Sequence, residues 1–459
     1  MTKLLEWVEI LGQWVWGLPL IILLAGTGLF LTIRLMGLQF RYLKYALKLV
    51  FFQKNSEGEE GDINHFQALM TSLAATIGIG NIVGVATAIA TGGVGAIFWM
   101  WMTALFGMAT KYSEAILAIK YRVADERGEM CGGPMYYIER GLSLKSLAVL
   151  FAAFGAIAAF GTGNMVQAHS VADAMHELFG VSPWHTGIFL MLITGFVVLG
   201  GIKSIGRLAG WMVPFMAILY TGMGLVIIVM HIEKLPEALM TIVTTAFTGQ
   251  AAAGGFLGST MLLAMRMGVA RGIFSNEAGL GSAPIVAAAA KTDLPGRQAM
   301  VSMTGTFLDT IVVCTITGLV ITVTGVLGQK DSLGNILDGA PMTVAAFSAI
   351  PYGGYCVTFG IILFGYSTII GWAYYGEKCI QYLFGLESVV IYRVFFTCII
   401  LPGSALGLKF VWGIADITNA LMAIPNLLAL LALSGVIASE TKEFLSVLKK
   451  EKSAEISDK

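Results

Sequence analysis

The sequence predicts an all-α polytopic membrane protein of about eleven transmembrane helices, and three observations carry that reading. The 459 residues are 57% hydrophobic and 12% charged, with a mean hydropathy of +0.80. A soluble domain carries about a quarter charged residues. Apolar runs long enough to cross a bilayer recur along the chain, and Lys and Arg gather in alternate connections between them.

The runs lie near 14–34, 64–90, 93–119, 146–170, 186–201, 208–231, 256–290, 299–327, 351–384, 392–408 and 410–437. The first, "WVWGLPLIILLAGTGLFLTI", is long enough to span and to stay, unlike a cleaved signal peptide. The stretch "EALMTIVTTAFTGQAAAGGF" within 236–256 reads as a short external hairpin because of its Gly, Thr and Gln content. Counting it as a span would reverse everything after it.

Basic residues decide that choice. With about eleven crossings, one side holds 21 of the 28 Lys and Arg, in 34–54, 120–145, 202–208, 291–298, 378–393 and the tail. The other side holds Lys3, Lys234, Lys330 and Lys409. The positive-inside rule then places the N-terminus outside and the 438–459 tail inside, in a plasma (inner) membrane. The tail reads as a solvated amphipathic helix. "CGGPMYYIERGL" (131–142) reads as an inner loop carrying an ordered gate helix.

A net charge of zero identifies no partner, and nothing predicts nucleic-acid binding. No G-x-x-x-x-G-K-[ST] loop occurs, so ATP coupling is not expected. Neither a repeated channel filter nor a catalytic cluster is present. The cysteines at 131, 314, 356, 379 and 398 have no metal or redox spacing and read as small packing residues. The five histidines, at 65, 169, 176, 185 and 231, fall at span ends or in loops and read as interfacial.

One pattern resists a packing explanation. "TIGIGN" (76–81) and "EAGLGS" (277–282) repeat a polar residue, a spacer, Gly-apolar-Gly and a small polar residue, 201 positions apart. Glycines alone would fit close helix packing. The second copy also crowds Ser275, Asn276, Glu277 and Pro284 into a membrane segment. Irregular backbone at that depth needs protein or a watery cavity around it. Two broken helices, five spans apart and therefore opposed in direction, point to inverted repeats and to a transporter binding site. The repeats would be 64–231 and 256–437, with 14–34 as an addition. Free N–H groups at a half-helix N-terminus attract a carboxylate. Freed carbonyls with nearby hydroxyls suit Na⁺. The site therefore reads as an amino-acid carboxylate plus Na⁺.

At this point the sequence resembles the sodium:alanine (alanine or glycine:cation) symporter family. The carriers are "GGVGAIFWMWMTALFG" (92–107), "GIGNIVGVATA" (78–88), "GPMYYIERGL" (133–142), "GNMVQAHS" (163–170), "GVARGIFSNEAGLGSAPI" (268–285) and "YSTIIGWAYYGEK" (366–378). The resemblance implies a LeuT-type fold of two inverted five-helix repeats plus an N-terminal span. It implies symport of a small neutral amino acid, alanine or glycine, with Na⁺ as coupling ion, no covalent cofactor and no enzymatic step. Gly78, Ile79 and Gly80, with Asn81 adjoining, would hold the carboxylate. Phe274, Ser275, Asn276 and Glu277 would face the rest of the substrate. Na⁺ would take carbonyls near Ala74 and Ile77, the carbonyl of Phe364, and the hydroxyls of Ser367 and Thr368. Thr368 would also border the substrate, Trp372 would wall a small pocket, and Gln167 would hydrogen-bond the ligand. The second, third, seventh and eighth spans would rock against the fourth, fifth, ninth and tenth.

Two ionisable groups stay open. Glu277 reads either as a structural partner of Arg271 or as a substrate or coupling group. Asp309 reads as a buried hydrogen-bonded aspartate or as help for a second cation. Lys111 and Glu114, one turn apart, read as a structural pair. The rival function is proton-coupled amino-acid transport, with Glu277 or Asp309 carrying the proton.

Overall fold

The computed structural model describes residues 2–52, 60–248, 260–330, 334–406 and 409–457. Parts of the expected hairpin (249–256), of the seventh span (256–259) and of the tenth (407–408) lie outside the described residues.

The N-terminal part departs from the expected single span. Helix α1 (Thr2–Val15) precedes α2 (Leu18–Arg34), and Pro19 sits in the first turn of α2, where a missing N–H costs nothing. Through Met36 and Gly37, at φ 53° and 62°, the chain turns by 82° into α3 (Leu38–Phe52). Next comes the first broken helix, α4 (His65–Thr76) and α5 (Gly80–Gly92), bent by 54°. Helix α6 (Ala96–Lys120) leads to a hairpin, β1 (Val123–Ala124) with β2 (Met130–Cys131), and then to α7 (Pro134–Leu142), a helix where the sequence predicts one.

Helices α8 (Lys145–Phe179), α9 (Pro183–Val198) and α10 (Gly201–Met230) follow. Where a hairpin was expected, α11 (Leu235–Thr248) forms. Its Ala238, Ile242 and Ala246, four apart, are buried, and the Trp99 indole donates to the Ala246 carbonyl at 3.1 Å. Apolar spacing of the helical period outweighed the Thr content.

The second broken helix is α12 (Met261–Asn276) and the short α13 (Ala283–Ala287). Beyond it lie α14 (Pro295–Thr324), α15 (Gly339–Phe347), α16 (Gly353–Phe384), α17 (Ser388–Ala405), α18 (Lys409–Ala432) and α19 (Ser434–Ser457).

Helix α19 is docked, not solvated. Ile437, Thr441, Phe444 and Leu448 are buried, and a Cβ at Gly296 would lie 2.4 Å from the Phe444 ring. Lys120–Glu440 at 2.8 Å and Arg297–Glu451 at 2.7 Å fasten its polar side. The apolar stripe at spacings of three and four is visible in the sequence, and the abundant Lys and Glu hid it.

Among the described residues, six helices are long and apolar enough to cross a membrane, or eight if each bent pair is one span. The protein is therefore a helical polytopic membrane protein. The expected count is higher because α6, α9 and α12 fall outside that set; α9 has only 16 residues. Helix α6 buries Lys111, Tyr112, Ser113 and Glu114 in succession, and α12 stops after 16 residues.

Two packed groups organise the bundle. One joins α6 with α12 and α14, and the other joins α8 with α16, α17 and α18. Helix α4 lies against α10 and α16, while α5 lies against α12, so the first broken helix passes between the groups. The start of α4 is stitched to the chain after α13: Asp62 N–H donates to the Ala289 carbonyl at 2.8 Å, and Lys291 N–H to the Ile63 carbonyl at 2.7 Å. Arg122 donates to the carbonyls of Ala288, Ala290 and Glu60 across this seam. One broken helix begins where the other ends, so the two run in opposite directions.

Candidate functional site

The first break opens at Ile77, whose ψ of 89° leaves the helical region. The chain resumes as a π-helical turn, Gly80–Gly84. Such wide turns cluster at functional positions, and they free carbonyls that need other donors. Thr317 donates to the Asn81 carbonyl at 2.8 Å and Thr343 of α15 to that of Ile82 at 3.0 Å. Both threonines went unnoticed in the sequence, because only the fold brings them to the turn.

On the α16 side, the break meets the residues expected to hold Na⁺. The hydroxyls of Ser367 and Thr368 each lie 2.9 Å from the Phe364 carbonyl. Ser367 also reaches the Ile77 carbonyl at 3.4 Å. A Cβ at Gly78 would lie 2.5 Å from Thr368 Oγ1, so only glycine permits this approach. Ala74 is buried in the preceding turn. These are neutral oxygens, the chemistry that suits a hard monovalent cation.

On the α12 side, Gly80 faces Phe274 and Ser275, with a would-be Cβ 3.4 Å and 3.5 Å from them. The two breaks therefore touch. Asp309 ties them together from a second π-helical segment, Phe307–Cys314. Its carboxylate accepts from Asn81 Nδ2 and from Ser275 Oγ at 2.8 Å each, and from Thr310 Oγ1 at 2.7 Å. Cys314 stands 3.3 Å from both Asn81 and Ser275, a polar role that a packing reading did not foresee.

Asn81 organises the break. Its Oδ1 accepts from Gly78 N–H at 2.9 Å, occupying one of the amides expected to face a carboxylate. Asn276 is engaged at both ends, accepting from Ala278 N–H at 3.0 Å and donating to Thr310 at 3.1 Å.

The second break is built differently. Glu277, Gly279 and Gly281 have φ of 55°, 92° and 85°, which explains the glycines directly. Its amide is used by the protein itself. Glu114 Oε1 accepts from Gly279 N–H at 3.1 Å and from Asn426 Nδ2 at 2.6 Å, and Asn426 also donates to the Gly279 carbonyl at 2.9 Å. Tyr137 of α7 hydrogen-bonds Asn426 in turn.

Two expected ion pairs do not form. Glu277 accepts from Ser282 Oγ at 2.6 Å, while the Arg271 guanidinium lies 5.8 Å over the Phe274 ring. Six residues of helix separate 271 from 277 and put them on different faces. Lys111 makes no ion pair within 4.0 Å with Glu114, whose Oε1 is taken by the break. His65 is also corrected: it is buried and bonded to Gln298 at 2.5 Å, not interfacial.

Gln167 and Trp372 meet the site from α8 and α16. A third π-helical turn, Gly161–Met165, precedes Gln167. Gln167 Nε2 donates to the Thr162 carbonyl at 3.0 Å, while its Oε1 is buried without a protein partner. A Cβ at Gly365 would lie 3.5 Å from both the Gln167 carbonyl and the Ile79 side chain. Trp372, 1% exposed, fills the space left by Gly163 and stands beside Glu277.

An ionic seam closes the side near the hairpin. Lys378 of α16 reaches Gln381 at 3.0 Å, Cys131 at 3.3 Å and Glu129 at 3.6 Å. Burial pushes the Asp125 carboxyl up, but hydrogen bonds from Gln381 and from the amides of Glu129 and Arg127 hold it below the ordinary value.

Discontinuous helices meeting around neutral oxygens within a polytopic bundle define a membrane transporter. The sequence matches the sodium:alanine symporter family over residues 1–458, and the chain belongs to that family. Sodium-coupled amino-acid symport is its activity class. The sodium/alanine symporter AgcS of Methanococcus maripaludis is 57% identical over 97% of this chain and 98% of its own. The Bacillus subtilis protein named "Probable sodium/glutamine symporter GlnT" is 37% identical over 97% and 91%. In three dimensions the chain is similar to a mutant Eremococcus coleocola manganese transporter, with a TM-score of 0.51 and 13% identity over 84% of this chain and 83% of that one. That likeness speaks of fold and not of cargo.

Proposed function

We propose that the protein imports alanine or glycine together with Na⁺ by alternating access. The observation that carries this reading is the meeting of Ile77, Gly78, Phe364, Ser367 and Thr368 at the first break. Na⁺ takes the carbonyls of Ala74, Ile77 and Phe364 with the two hydroxyls. The substrate carboxylate takes the remaining amides around Ile79 and Gly80, and Gln167 Oε1 serves the ammonium group. Trp372, packed against Gly163, closes the side-chain end of this site and restricts it to a small substrate.

In this reading the crossings number about eleven: α2, α4 with α5, α6, α8, α9, α10, α12 with α13, α14, α16, α17 and α18. They form a LeuT-type arrangement of inverted repeats over 64–231 and 256–437, with α1 outside and α19 in the cytoplasm. The opposed broken helices support the repeats, and the charge asymmetry supports the orientation. The group containing α6, α12 and α14 moves against the group containing α8 and α16. Neutral donors at the first break favour Na⁺ over a proton as the coupling ion.

The test is uptake of labelled alanine into proteoliposomes under an imposed Na⁺ or proton gradient. Concentrative uptake should follow the Na⁺ gradient. Accumulation driven by protons alone would transfer the coupling to Glu277 or Asp309. In the same assay, Trp372→Ala should admit larger side chains, and unchanged selectivity would remove Trp372 as the size filter.

A further inference from the structure

The turn after α2 leaves α3 lying crosswise. Helix α2 holds 17 residues, about 26 Å of helix, close to the ~30 Å hydrocarbon core. Its Ile22, Leu29, Phe30 and Ile33 are exposed, as lipid-facing side chains are. The chain then bends by 82° into α3. A helix at that angle to a crossing helix runs along the membrane surface and not through it. This placement rests on α2 crossing the bilayer, as in the reading above, and not on the cargo or the coupling ion.

Helix α3 carries three different stripes. Leu38, Gln39, Ala46, Leu49 and Val50 are buried. On that side α3 packs against α14, α4 and α6, and Gln39 Nε2 donates to the Leu105 carbonyl of α6 at 3.2 Å. Phe40, Leu43, Leu47 and Phe51 recur at spacings of three and four and so share a second stripe. Both phenylalanines are exposed, at 57% and 56%. Arg41, Lys44 and Lys48 share a third stripe by the same spacing, and all three are exposed. Arg34, in the last turn of α2, is exposed as well. No Asp or Glu occurs in 34–52. Among the described residues, none of these four cations has an ion pair within 4.0 Å.

A core stripe, an apolar stripe and a basic stripe in succession make a helix seated in a bilayer interface. The basic stripe has no acidic neighbours to offset it, so it suits headgroups of net negative charge. The basic residues of α19 differ: Lys442, Lys449 and Lys450 stand among Glu440, Glu443 and Glu451. We propose that Arg41, Lys44 and Lys48, with Arg34 beside them, form a binding site for anionic phospholipid of the surrounding leaflet. Phe40 and Phe51 enter the acyl region next to the headgroup. Because α3 is already docked on the bundle, its charges are positioned before lipid arrives, and binding loses little chain entropy.

The purified full chain in detergent is titrated with dioleoylphosphatidylglycerol or dioleoylphosphatidylcholine, and bound lipid is counted by native mass spectrometry. Phosphatidylglycerol should bind more tightly by about fivefold for each charge of the stripe, roughly a hundredfold in all. Arg41→Gln/Lys44→Gln/Lys48→Gln should abolish this preference, and Lys44→Gln alone should lower it about fivefold. Lys44→Arg/Lys48→Arg should keep it. Lys442→Gln/Lys449→Gln/Lys450→Gln, which removes as many charges from α19, should also keep it. Glycerol 1-phosphate, a headgroup without acyl chains, should not displace the lipid at equal concentration. Equal binding of the two lipids, or equal loss in the two triple variants, overturns the site. Displacement by glycerol 1-phosphate overturns the lipid assignment in favour of a free phosphate. Should the α3 triple variant fail to fold, Lys44→Gln still decides. Failure of sodium-driven alanine uptake overturns only the transport reading, since the lipid count needs no transport.

Discussion

The two helix breaks share a sequence pattern and differ in what satisfies them. At 77–79 no residue takes a positive φ, and the chain opens into a π turn and meets hydroxyls of α16 and the side chain of Asn81. At 277–282 the chain passes through three left-handed residues, and an internal carboxylate holds an amide there. In the proposed reading the first break presents neutral oxygens and amides to a mobile ligand. The second has much of its ligand built in, as Glu114 with Asn426. A Gly-apolar-Gly pattern marks where a membrane helix breaks, but the neighbours decide whether the break is a site or a joint.

That contrast is open to test. The largest effect is expected from Gly78→Ala. Its Cβ would stand 2.5 Å from Thr368 Oγ1, so sodium-driven uptake should fall by about a hundredfold or more while the protein still elutes as a folded species. Gly281→Ala should do the reverse of this pairing. Its φ of 85° and a would-be Cβ 2.7 Å from Phe151 and Pro134 should cost folded yield first. If Gly281→Ala folds normally and Gly78→Ala does not, the assignment of site and joint is inverted.

Glu114→Ala comes next. It strips the acceptor from Gly279 N–H and Asn426, and should cost about 2–3 kcal/mol of stability, read as a fall in Tm. Glu114→Gln keeps an acceptor and should lose less. Equal Tm values for both variants would deny Glu114 its part in closing the second break.

Thr368→Ala should raise the Na⁺ concentration for half-maximal uptake about tenfold, equivalent to about 1.4 kcal/mol. Thr368→Ser, which keeps the hydroxyl, should recover most of this. An unchanged Na⁺ response in Thr368→Ala would take the residue out of the cation site.

The smallest effect concerns pH at the hairpin that leads into α7 and Tyr137. Asp125 has a lowered pKa in the folded protein. Its contribution is therefore complete above the ordinary carboxylate range and is lost as pH falls through the lowered value. Hydrogen exchange over 123–131, corrected for intrinsic rates, should quicken on acidification to about pH 3. In Asp125→Asn that change should vanish.

Both breaks were legible in the sequence, because Gly, Pro, Asn and Glu have no good reason to sit together inside an apolar helix. The pairing of Ser367 and Thr368 with the first break came from the family resemblance, and the fold places those residues side by side. Other features were hidden. Glu114 looked like the partner of Lys111, because helical spacing reports neighbours on one helix and says nothing of a break arriving from another. Asn426, Thr317 and Thr343 carry no local signal. The π turns at 80–84, 161–165 and 307–314 lack one too; at the first and last, carbonyls take donors from distant helices, Thr317 and Thr343 at 81–82 and Asn81 at Asp309.

By itself the sequence determined that this chain lives in a bilayer and that its helices break near 78 and 279. Those outcomes follow from apolar run length, from the backbone preferences of Gly and Pro, and from the cost of charge in lipid, all local properties. Tertiary structure alone decided what satisfies each break. That choice depends on whether an amide meets a fixed carboxylate such as Glu114 or a ring of neutral oxygens, and residues hundreds of positions apart must converge before either partner exists.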